Sequence, residues 1–149
     1  SGIFYKSLGL DKDIKTIPAT AYSTYTFKFR PNSKIPECEL LHNNGQVEID
    51  SIFVNRRNGK RQLFLVEAKK SKKLSSLPKH KLMYPYYSII NDVPEDIIIT
   101  PVYLRIIEKG RDVYFYIAEC DIKGDRENPY LNDLFIKDSK ILCLPNWLD

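Results

Sequence analysis

The chain has 149 residues, of which 43% are hydrophobic and 28% charged, enough for one hydrophobic core and against a largely disordered or low-complexity protein. Twenty-three basic residues against 19 acidic ones give a net charge of +4, which permits a polyanionic partner without requiring one. No apolar run is long enough to span a bilayer, no signal-peptide pattern is visible, and three scattered cysteines (Cys38, Cys120 and Cys143) argue against a disulfide framework and fit buried thiols in a reducing, cytoplasmic setting.

The opening through Thr20 reads as irregular, interrupted by Pro18. Tyr22–Phe29 alternates, with Tyr25, Phe27 and Phe29 on one side, and predicts a strand that ends at Pro31, Asn32 and Ser33. After the polar stretch His42–Gly45, the segments Gln46–Val54 and Arg61–Lys69 predict two strands of a hairpin around the Asn58-Gly59 turn. Leu77–Asn91 has helical spacing through Leu82, Tyr86 and Ile89, with Pro85 expected to kink or split it. Ile97–Ile107 and Val113–Cys120 predict two further strands joined at Gly110. Ile122–Leu134 is polar and at most partly helical, Ile136–Leu144 predicts a short last strand, and Pro145 begins a loose tail with Trp147. Strands with a helix crossing between them imply an α/β domain, a central mixed β-sheet flanked by helices. One domain is expected over residues 1–149, and the start on Ser1 is compatible with a piece of a longer protein.

Alternation along the hairpin locates the candidate chemistry. Strict alternation puts Val47, Ile49, Ser51 and Phe53 on one face of the first strand and Glu48, Asp50, Ile52 and Val54 on the other. On the second strand it groups Leu63, Leu65, Glu67 and Lys69, with Phe64, Val66 and Ala68 opposite and facing the core. Asp50, Glu67 and Lys69 then converge at one end of a sheet. A carboxylate at the end of the apolar run Leu63–Val66 is costly unless paired or metal-bound, and two neighbouring carboxylates repel. A hard divalent cation resolves both problems, so Asp50 and Glu67, with the Ala68 carbonyl, are the candidate metal ligands. Lys69 is the candidate for polarising water or stabilising charge on phosphate. The same residues also fit the exposed, frayed end of a strand.

An aspartate on one strand, a hairpin, and VEAK ending the next strand resemble the PD-(D/E)xK nuclease superfamily, the fold of many restriction endonucleases, junction resolvases and repair nucleases. The resemblance covers about Gln46 to Ile107 and more narrowly points to the catalytic domain of a type II restriction enzyme. It implies a restriction-endonuclease-like core and a Mg²⁺-dependent endonuclease acting on DNA, with Mn²⁺ as the alternative metal and RNA as the alternative substrate. It also implies a homodimer as one way to cut both strands. Asp50, Glu67 and Lys69 match the motif positions. Ile49 stands where the family often has proline. For an upstream acid the chain offers Glu48, with Glu37 and Glu39 as weaker candidates. Lys70, Lys72, Lys73, Lys79, His80 and Lys81 form a basic stretch after the motif that suits nucleic-acid contact, although such a run is also what a solvated loop looks like. Two rival classes stay open: a nucleic-acid-binding module that does not cut, and a structural or interaction domain.

Overall fold

The computed structural model describes residues 7–9, 19–71 and 76–144. Six strands form one sheet in the order β1 (Ala19–Phe29), β2 (Leu40–Arg57), β3 (Lys60–Lys70), β4 (Ile98–Lys109), β5 (Asp112–Ile122) and β6 (Leu134–Leu144). Every neighbouring pair is antiparallel except β3 and β4, which run parallel. A parallel pair cannot be closed by a tight turn. The crossover carries helix α1 (Lys79–Ile89), followed by a short 3₁₀ turn at Ile90–Asp92. The architecture is thus a mixed α/β sheet with helix α1 on one face.

The hairpin turn follows from its sequence. Asn58 and Gly59 have φ of 54° and 76°, the left-handed pair that a two-residue hairpin needs, and Arg57 pairs with Lys60. β2 is longer than the alternation predicted, because the polar His42–Gly45 stretch is part of the strand. Tyr25 pairs with Gly45 and Phe27 with His42, so Asn43 and Asn44 together oppose Thr26 in a bulge, with Asn44 at φ 50°. The Thr26 hydroxyl accepts the Asn44 N–H at 2.9 Å and holds that bulge.

Each face of the sheet buries its own cluster. On the α1 face, Leu82, Met83, Tyr86 and Tyr87 pack against Ile49, Leu63, Leu65, Tyr103 and Ala118. Burying side chains such as Leu82 and Met83 contributes roughly 1.5–3 kcal/mol each. Pro85 neither splits nor ends α1; it sits buried inside the helix, and the Ser88 hydroxyl donates to its carbonyl at 2.7 Å. On the opposite face Phe53, Phe64, Val66, Val102 and Ile117 pack with Leu8. There the Arg57 guanidinium meets Glu119 at 2.6 Å and the Leu8 carbonyl at 3.3 Å. The predicted partly helical stretch after Ile122 is mostly irregular, with one 3₁₀ turn at Leu131–Asp133. Arg126 ties it down by donating to the carbonyls of Pro94 at 2.9 Å and Ile97 at 2.6 Å.

Of the three thiols, Cys120 is buried and Cys38 half-buried, but Cys143 is exposed on β6, contrary to the expectation of buried thiols. Burial and the nearby Glu119 push the Cys120 thiol up to about 12. No helix among the described residues is long and apolar enough to cross a membrane.

Candidate active site

The site lies where β2 and β3 part. Their ladder runs from Arg57–Lys60 to Ser51–Val66 and stops. Beyond it β2 continues with β1 alone, and Glu67–Lys70 of β3 pair with β4 alone. The parting coincides with a second bulge: Ile49 pairs with Ala21 and Ile52 with Ala19, so Asp50 and Ser51 together oppose one residue of β1. Ile49 and Ile52 both pack into the α1-side cluster, which strict alternation forbids. The expected face grouping of β2 is therefore wrong across the bulge. Val47 and Ile49 face the helix on one side of it, and Ile52 does on the other.

That irregularity brings Asp50 to Glu67. The Ala68 N–H, which would otherwise seek a partner on β2, donates to Asp50 Oδ2 at 2.8 Å. The carboxyl groups of Asp50 and Glu67 lie within hydrogen-bonding reach of one another. Burial, the charge of Asp50 and the hydrogen bond to it push Glu67 up to about 7; Lys81 pulls it down, and Glu48 adds to the rise. Near neutrality Glu67 is thus partly protonated. Ala68 is exposed at the fork and does not point into the core as alternation suggested. In an extended strand the N–H and C=O of one residue share a side, so the Ala68 carbonyl is directed into the same opening as its N–H.

Glu67 also borders a cleft of about 220 Å³ between β2 and α1, lined by Gln46, Val47, Glu48, His80, Lys81, Tyr84 and Pro85. The structure thus brings together Asp50, Glu67, Glu48, His80 and Lys81. Lys69 is exposed two residues along β3 from Glu67, on the same face by alternation, and is not part of the cleft wall. Lys70 falls on the opposite face and pairs with Glu108 at 2.8 Å. Lys79 donates to Asn132 Oδ1 at 2.9 Å. Lys72 and Lys73 lie outside the described residues. Of the weaker acid candidates, Glu39 is exposed and pairs with Lys28 at 3.8 Å, and Glu37 is exposed as well.

The sequence reading passed over Gln46 and Arg105. Gln46 looked like the mere start of a strand. Arg105, 1% exposed, sits beside Lys69 across the β3–β4 ladder and near Tyr103, whose phenol burial pushes up, with the Arg105 charge opposing that rise in part. An arginine inside the apolar run of β4 was the available signal.

Asp50, Glu67 and the Ala68 carbonyl offer hard oxygen donors at one opening. Mg²⁺ is commonly held by one or two carboxylates with water and phosphate oxygens, so this donor set fits it. No group of three or more His, Cys, Asp or Glu side chains arranged to hold a metal occurs among the described residues.

The chain belongs to the DUF6997 family, a domain of unknown function, which it matches over residues 1–129. No curated protein and no solved structure matches it.

Proposed function

We propose that this domain is a metal-dependent endonuclease that hydrolyses phosphodiester bonds in DNA, of restriction type, with its site at the β2–β3 fork. One observation carries the reading: Asp50, held by the Ala68 N–H at 2.8 Å, sits against Glu67 at the fork, and burial with the charge of Asp50 raises the Glu67 carboxyl. A divalent cation bound between the two carboxylates would relieve their repulsion once both are ionised.

Asp50, Glu67 and the Ala68 carbonyl would hold Mg²⁺ or Mn²⁺. A cation bound there would polarise a phosphoryl oxygen and offset charge as water displaces the leaving oxygen. The chain's own groups do the rest. The Ala68 N–H fixes the Asp50 carboxylate, so that the carboxylate needs little reorganisation. Lys69, on the Glu67 face of β3 by alternation, would orient water or meet charge on phosphate. Lys81 supplies a second positive charge from α1 and draws the phosphate backbone toward the fork. The free thiols suit a reducing, cytoplasmic setting.

The test is cleavage of plasmid and oligonucleotide DNA, with RNA alongside, in Mg²⁺, Mn²⁺ or EDTA. Metal-dependent cutting lost in Asp50→Asn supports the reading; cutting that persists in EDTA removes it.

A further inference from the structure

The cleft beside Glu67 has two unlike walls. α1 supplies ring surface, with Tyr84 and Pro85 and the imidazole of His80, plus the Lys81 ammonium; β2 supplies Gln46 and Glu48 around Val47. Tyr84 is braced from behind. Phe27, Phe29 and His42 stand 5.7, 5.4 and 5.1 Å from its ring centre. His42 in turn stacks on Phe27 at 4.7 Å and fills the space above Gly45, where an added Cβ would meet its ring at 2.5 Å. The bulge in β2 therefore exists with a rigid aromatic wall built on it. A rigid ring loses little entropy when a planar ligand stacks on it.

The cleft is smaller than the roughly 300–1,000 Å³ of sites for drug-sized ligands, and suits one ring system. Glu48 and Glu67 border it together with a single lysine, which disfavours a bare phosphate as the occupant. A carboxylate accepts hydrogen bonds only, and an amide both donates and accepts. This pairing fits the edge of adenine, cytosine or guanine, which carry an exocyclic amino group, better than that of thymine or uracil. A base stacked and paired in a duplex cannot enter such a cleft without leaving the stack.

We propose that the cleft receives one unpaired nucleobase next to the cutting site, and that Gln46 and Glu48 select a base bearing an exocyclic amino group. The substrate is then single-stranded or locally unpaired nucleic acid. This rests on the metal-dependent nuclease reading of the fork and replaces the continuous duplex of a restriction-type enzyme with unpaired nucleic acid as the substrate class.

The probe is a set of short oligonucleotides with one 2-aminopurine placed at successive positions, single-stranded or fully paired, as DNA and as RNA, titrated with Ca²⁺ in place of Mg²⁺. Single strands should bind more tightly than the duplex, with a fluorescence change confined to one position. Tyr84→Leu should weaken binding by about 5- to 150-fold, the range of one base–aromatic stack. Because Tyr84 also packs in the core, Gln46→Ala and Glu48→Gln give the independent reading: they should erase the preference for the amino-bearing bases adenine, cytosine and guanine over thymine or uracil at that position. Equal binding of the duplex, or base preference unchanged in both β2 variants, would overturn the proposal. The DNA and RNA arms identify the sugar. A protein that shows the base signal but cuts nothing in Mg²⁺ would lose the nuclease reading and keep the cleft; one that cuts continuous duplex with no base signal would do the reverse.

Discussion

Replacing Glu67 with Gln in the metal-free protein removes a carboxyl group whose folded form keeps its proton up to about 7, against an ordinary 4.5. The native state binds this proton more tightly than the unfolded chain does. The stability tied to Glu67 is therefore fullest below 4.5 and is lost as pH rises through about 7. A displacement of that size corresponds to roughly 3 kcal/mol. Glu67 is only partly buried, and solvent screening brings the expectation to about 1–2 kcal/mol. Gln keeps the shape and can still donate to Asp50, so the substitution isolates the charge. Urea unfolding at pH 5 and pH 8 in EDTA reads it directly. Wild type should lose about 1–2 kcal/mol more than Glu67→Gln between those two conditions, and at pH 8 the variant should be the more stable protein. Adding Mg²⁺ at pH 8 should raise the stability of wild type and leave the variant nearly unmoved. Parallel pH profiles for the two proteins would refute the claim that the fork strains Glu67.

Gly45→Ala should cost about 1–3 kcal/mol through the clash with His42, measured as a lower urea midpoint; a neutral result would mean that the ring is not held there. Lys69→Ala should cut about 100- to 1,000-fold more slowly while its calorimetric metal affinity stays near wild type, since an ammonium is not a ligand. Lys81→Ala should lower the slope of log affinity against log salt by about one, whereas Lys70→Ala, on the far face with Glu108, should leave the slope alone. A salt titration of oligonucleotide binding separates those two lysines.

The strands and the hairpin turn could be read from sequence because they rest on local rules: alternation through Leu63–Val66 and the left-handed preference of Asn58-Gly59. The order of the sheet is not local. It depends on the pairing of β3 with β4 across α1, which periodicity only suggests. The candidate residues Asp50 and Glu67 were legible as polar residues closing apolar strands, yet the reason they meet was not. Alternation placed Asp50 on the Glu67 side while assigning Ile49 to the wrong face, because a bulge at Asp50–Ser51 shifts the parity and leaves no mark in composition. The basic run looked uniform as sequence. The structure divides it: Lys81 reaches the cleft, Lys70 pairs on the other face and Lys79 is engaged with Asn132. Pro85 argued for a break in α1 and none occurs, since its packing against the sheet holds the helix through it. Gln46 gains its place only from the tertiary meeting of β2 and α1.

The central claim is that Asp50 and Glu67 together bind a divalent cation that cutting requires. Calorimetric Mn²⁺ titration beside a cleavage assay, on wild type, Asp50→Asn and Glu67→Ala, tests it most directly, with Mn²⁺ chosen because such carboxylate oxygen sites generally bind it more tightly than Mg²⁺. The account predicts one saturable site in wild type, metal-dependent cutting, and loss of both in the two variants while each stays folded. Full cutting by either variant, or a wild-type protein that binds no metal and leaves every DNA and RNA substrate intact, would contradict it.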